Sequence, residues 1–162
     1  MERLSNTQAM LSAGSKAKLV SGTVLLAAVA FIASGAGEKR SLNLPVTQLQ
    51  YVSTGVSDGV HGELQAAPAF GDLAHGAHGT FIKMPAGFVS LVHTHTGDYY
   101  GVVISGVGAN GVPGSADVSL PVGSYWFQKG GERHVTKCLS PNECIFFINQ
   151  STKFDYLPDA TK

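Results

Sequence analysis

The sequence predicts an all-β barrel or sandwich, and three observations carry that expectation. Short apolar runs rich in β-branched and aromatic residues recur from Val46 onward. Clusters of Gly, Pro, Asn and Asp separate them at short intervals. No helical spacing of apolar residues is sustained after residue 40, except around "LQAAPAF", residues 64–70. A length of 162 residues favours one domain with one core. Eleven basic and eleven acidic side chains cancel, so nothing recommends nucleic acid or an anionic membrane surface as a partner, and function is expected from a local site.

The first element read along the chain is a targeting signal. Lys16 and Lys18 precede "LVSGTVLLAAVAFIASGA", an apolar run ending in small residues at 33–36. A basic side, an apolar core and a small-residue end are the order of a secretory signal peptide, here residues 1–36 with cleavage after Ala36. Met10 makes a more typical start for such a signal than Met1. The strictly apolar part is short against the roughly 20 residues of a spanning helix, so no stable membrane anchor is expected. The protein is expected in the periplasm or secreted. Without Arg3, Lys16, Lys18 and Glu2, eight basic and ten acidic residues remain. Residues 37–45 read as a linker and 46–162 as a single domain.

Within that domain "GVSDGVHGEL" is a turn-rich arm, followed by the expected strands. "FIKM" ends at Pro85-Ala86-Gly87, "FVSLVHTH" at Thr96-Gly97-Asp98, and "YYGVVISGV" runs into "GANGVPGSAD". "VSLPVG" and "SYWFQ" follow, then Lys129-Gly130-Gly131, "HVTKC" and "CIFFINQ". If "HVTKC" and "CIFFINQ" are neighbouring antiparallel strands, Cys138 and Cys144 face one another at a separation that suits a disulfide. Export would let that bond persist, as a brace for the hairpin.

Chemistry concentrates in "FVSLVHTH". Alternation along a strand puts Val89, Leu91, His93 and His95 in one row, and Phe88, Ser90, Val92 and Thr94 in the other. A buried imidazole needs its ring nitrogens satisfied, by hydrogen bonds or by a metal, and His-x-His alone fits either. His134 is the third candidate ligand. His75 and His78, flanked by glycines, read as solvated loop residues. Lys83, Lys129 and Arg133 read as charges blunting strand ends, with attraction of an anionic substrate as the functional alternative. Trp126 and Phe127 point to opposite faces.

Two spacings give this chain a family likeness. Gly87, five residues, His93-x-His95, three residues, Tyr99, six residues and Gly106 form the first. Gly123, five residues, Lys129-x-Gly131, two residues, His134, three residues and Cys138 form the second. Over roughly Phe81 to Asn149 the sequence resembles the cupin superfamily, with Tyr99 where the first cupin motif usually has Glu, Lys129 in place of Pro and Cys138 in place of Asn. The resemblance implies a cupin-type antiparallel β-barrel, the jelly-roll-like double-stranded β-helix, with a metal at its mouth held by His93, His95 and His134. It also implies an N-terminal arm that pairs with a neighbouring subunit, hence a homodimer.

Three neutral imidazoles suit Fe, Zn, Cu or Ni and leave coordination positions open for water or a ligand. The resulting expectation is an exported, metal-binding protein with a small-molecule ligand or substrate, acting as a dioxygenase-like oxidoreductase. In that reading Tyr99 or Tyr100 is the catalytic proton donor, and Leu91, Val103 and Phe127 shape the pocket. The alternative is a binding module that holds a metal or small ligand without turnover. No organic cofactor site is expected, since no Gly-rich phosphate loop follows a strand.

Overall fold

The computed structural model describes residues 41–159, so the expected signal peptide at 1–36 lies outside the described residues. Residues 41–45 are exposed coil leading into a 3-10 turn at Val46–Gln48. Ten strands follow: β1 (Val52–Ser57), β2 (Glu63–Gly71), β3 (His78–Met84), β4 (His93–Thr94) and β5 (Tyr99–Ser105). The rest are β6 (Gly108–Gly111), β7 (Tyr125–Gln128), β8 (Val135–Cys138), β9 (Cys144–Gln150) and β10 (Leu157–Pro158). Their pairings are all antiparallel, in a six-stranded sheet ordered β1-β2-β3-β9-β5-β7 and two pairs, β4–β10 and β6–β8. Among the described residues no helix is long and apolar enough to cross a membrane.

Three segments depart from the sequence reading. "LQAAPAF" lies in β2, where Leu64, Ala66 and Ala67 are buried and the register shifts between Pro68 and Phe70. Proline lacks the N–H a ladder needs, so an irregularity there is the expected adjustment. "VSLPVG" forms no strand; it contributes the bridge from Leu120 to Gly108 and the hydrogen bond from Gly123 N to Val103 O. The disulfide between Cys138 and Cys144 is present, with Cα atoms 5.7 Å apart, but β8 pairs with β6 while β9 lies between β3 and β5. The bond therefore joins two sheets instead of bracing a hairpin.

The large sheet builds the interior in rows across its strands. His78, Gln150, Tyr99 and Gln128 lie opposite one another on β3, β9, β5 and β7, all buried. One step deeper come Thr80, Ile148, Gly101 and Trp126, then Ile82, Phe146 and Val103. Gly101 is required by its row. A Cβ there would collide with the Trp126 indole, which closes the interior at that level. The alternate residues face outward, where Phe81, Phe147, Val102 and Tyr125 form a cross-strand row.

Candidate metal centre

Residues 88–94 run antiparallel to 134–138 and carry the site. Cys138 N donates to Phe88 O, Ser90 N to Thr136 O, and His93 and His134 exchange both backbone hydrogen bonds at 3.1 and 3.0 Å. From Ser90 to His93 the first chain advances three residues while its partner advances two. That extra residue is a β-bulge. It overturns the single inward row expected for Val89, Leu91, His93 and His95: Phe88 and Ser90 are buried, Val89 and Leu91 are 44% and 47% exposed, and only after the bulge do His93 and His95 turn inward.

The three imidazoles converge. Their ring centroids lie 4.1 Å apart for His93 and His134, 4.9 Å for His93 and His95, and 5.2 Å for His95 and His134. One ligand atom from each lies within 4.8 Å of the others. Every Nδ1 faces a backbone carbonyl: Leu91 O at 2.8 Å for His93, Glu132 O at 3.0 Å for His134, and Asp155 O for His95. A carbonyl only accepts, so each Nδ1 carries the proton and each Nε2 presents its lone pair. Burial and the neighbouring His134 charge push His93 down to about 3, and burial pushes His134 down to about 4. His95 is lowered for the same reason, against the opposing pull of Asp155. Three neutral, pre-oriented nitrogen donors fit a borderline transition metal.

Tyr99, at the position of the missing carboxylate, is buried with its hydroxyl 3.3 Å from His134 Nε2 and 3.4 Å from Asn110 Oδ1. Asn110 is held in turn by Thr136 Oγ1 and by Gln128 Oε1, which accepts from its amide. Burial pushes the Tyr99 phenol up to about 12, so it stays protonated. Tyr100 corrects the alternative assignment: it is 48% exposed on the outer face, stacked with Tyr125 and Phe127. Leu91 and Phe127 are also outside, and Val103 belongs to the deep core.

His93 and His95 open into an interior cavity of about 60 Å³, walled by Leu64, Ile82, Met84, Trp126, Phe146 and Ile148. Among the described residues no Lys, Arg, Asp or Glu lines it. Lys83, Lys129 and Arg133 instead pair on the surface with Glu143, Glu132 and Asp159. Asp98 accepts from Gly130 N and serves the turn.

Two features escaped the sequence reading. The C-terminal segment crosses the mouth: β10 pairs with β4, Tyr156 packs on His93 at 4.3 Å between centroids, Phe154 on His95 at 5.9 Å, and Asp155 binds both Thr96 and His95. No motif marks it. The other is His78, read as a loop residue but 1% exposed on β3, unlike His75, which is exposed beside Asp72. The alternation His78, Thr80, Ile82, Met84 was the available signal.

Solved structures share this architecture. A polyketide cyclase from Streptomyces resistomycificus is 12% identical, with a TM-score of 0.61 over 76% of this chain and 88% of that one. A predicted oxalate decarboxylase from Thermotoga maritima is 20% identical, with a TM-score of 0.54 over 68% and 99%. An RmlC-like cupin from Shewanella frigidimarina is 20% identical, with a TM-score of 0.52 over 71% and 95%. The fold is that of the cupins. No curated protein matches the sequence. Residues 48–161 match the family described as "Domain of unknown function (DUF4437)".

Proposed function

The chain belongs to that family, and from this premise we propose that it is an exported cupin holding one divalent transition metal on His93, His95 and His134 and acting as a metal-dependent oxidoreductase on a small molecule. The observation that carries the reading is the convergence of the three histidines, each with Nδ1 on a carbonyl and with one ring nitrogen within 4.8 Å of those of the others.

The reaction class follows from what the cavity does not offer. No carboxylate lines it, its histidines are neutral, and Tyr99 is held protonated. At neutral pH the lining therefore presents a phenolic hydrogen-bond donor and imidazole nitrogens, and no carboxylate base. A bound metal would supply Lewis acidity and, if redox-active, electron transfer in a water-poor pocket. Tyr99 orients a ligand oxygen beside His134, the apolar walls exclude water, and Phe154 and Tyr156 close the mouth.

A second reading, retention of a ligand without turnover, draws on the same small and covered cavity. The disulfide supports export, since such bonds persist in oxidising compartments.

The test is metal content by mass spectrometry on untagged protein purified without chelator, beside His93→Ala/His134→Ala. Near-stoichiometric iron, copper, nickel or zinc that disappears in the variant is the expected result, and oxygen uptake on small acids then separates turnover from retention. Substoichiometric metal unchanged by the substitutions would sink the reading.

A further inference from the structure

The cavity has a second polar end. His78 is 1% exposed and lines the same cavity as His93, His95 and Tyr99, yet its Nε2 has no hydrogen-bond partner. Its Nδ1 is engaged with Thr80 Oγ1 at 2.9 Å. Gln150 lies opposite in the register, and the hydrogen-bonding pull of its side chain opposes the lowering that burial imposes on the ring, but it makes no well-aligned hydrogen bond to Nε2 and its amide nitrogen donates to Thr152 Oγ1 at 3.1 Å. A buried imidazole nitrogen without a partner costs on the order of 1–3 kcal/mol, so native interiors rarely keep one. The atom calls for an occupant of the cavity.

The register locates it. His78 and Tyr99 both pair with Gln150, so they stand in one cross-strand row two strand spacings apart, roughly 10 Å between backbones. Tyr99 touches His134 at one end of that span, and His78 stands at the other. Between them stands the uncharged Gln150, and the deeper wall is apolar. The lining carries no charged side chain, and burial keeps His78 neutral, so a second ionised group on a ligand would find no counter-charge there. The volume of about 60 Å³ holds about four waters at ~15 Å³ each, or one short molecule.

We propose that His78 is a second anchor, binding the neutral hydroxyl of a short hydroxy acid whose carboxylate faces the three-histidine centre. The ligand class is thus a monoanionic acid of two to four carbons with a polar, uncharged far end. A hydroxyl both donates and accepts, so it satisfies Nε2 in either tautomer of His78. Dicarboxylates of the same length are rejected, because their second charge would be buried unpaired. The inference rests on the metal reading above and adds the identity of what lies beside the metal.

The test uses the full protein loaded with Co(II), whose visible spectrum reports ligands at the metal. Glycolate, 3-hydroxypropanoate and 4-hydroxybutyrate are titrated against acetate, propanoate and butyrate. At one chain length the hydroxyl is expected to tighten binding by roughly tenfold, the factor of one well-made hydrogen bond. His78→Phe should abolish that preference while leaving the Co(II) spectrum intact, and His78→Gln, which keeps a polar terminus, should retain part of it. Co(II) uptake with no hydroxyl preference at any length, or a preference that survives His78→Phe, overturns the second anchor and leaves the metal centre standing. Failure to take up Co(II) overturns both. If His78→Phe does not fold, the wild-type comparison and His78→Gln still decide.

Discussion

His93 and His134 face each other across two antiparallel segments as a pair that exchanges both backbone hydrogen bonds, with their rings 4.1 Å apart. Forty-one positions of sequence separate them, yet the ladder fixes their spacing as firmly as adjacent residues. Two imidazoles held this close cannot both be charged without strong repulsion, and that constraint generates the first prediction.

In the metal-free protein, His93 at about 3 and His134 at about 4 titrate far below the 6.5 of an unfolded histidine. Between those values the unfolded chain binds more protons than the folded one, so stability is full above pH 6.5 and falls as pH drops towards 4 and then 3. Urea unfolding of the chelator-treated protein from pH 8 to pH 4 should show this decline, with a shallower slope for His93→Ala/His134→Ala. A flat profile contradicts the neutral assignment.

Reduction of Cys138–Cys144 removes the link between the sheet containing β9 and the pair β6–β8. The closed loop is short, so the chain-entropy contribution is about 2 kcal/mol. Cys138→Ser/Cys144→Ser should lower the unfolding free energy from denaturant titration by that amount with the metal site still able to load. Loss of metal binding in that variant would mean that the link also positions His134.

Tyr99→Glu places a carboxylate beside His134 in the interior. Without metal it is a buried charge with no cationic partner and should cost about 2 kcal/mol or more. With metal it becomes a fourth ligand, and the gain in melting temperature on adding zinc should exceed that of wild type. Calorimetry with and without zinc measures both; an equal metal-induced shift in the two proteins would show that Tyr99 does not stand at the ligand position.

Phe154→Ala/Tyr156→Ala strips the rings that cover His95 and His93. Zinc removal by a chelator should accelerate by roughly tenfold, the lower end of the usual effect of disturbing groups that support metal ligands. Unchanged release would show that the metal leaves by another route.

What the sequence made legible was local. Apart from "VSLPVG", the strands from "FIKM" to "CIFFINQ" announced themselves through alternation and turn residues, and His93, His95, His134 and Tyr99 through spacing. The bulge between Ser90 and His93 did not, because an inserted residue is visible only against the partner strand it fails to match. Parity counted straight through it, which placed Val89 and Leu91 inside. His78 was hidden by its glycine neighbours, and Tyr156 and Asp155 by their distance from either motif. These are long-range facts, created when β10 pairs with β4 and β9 inserts between β3 and β5.

The mouth of the barrel also sets an order of events. Asp155, whose carbonyl orients His95, lies 60 residues after it. A chain made from its N-terminus presents His93 and His95 early, His134 later, and their last support only when nearly all of it has emerged. No partial product contains a finished centre. An ion held by all three histidines in this arrangement would therefore be bound only once the C-terminal segment has closed over His93 and His95.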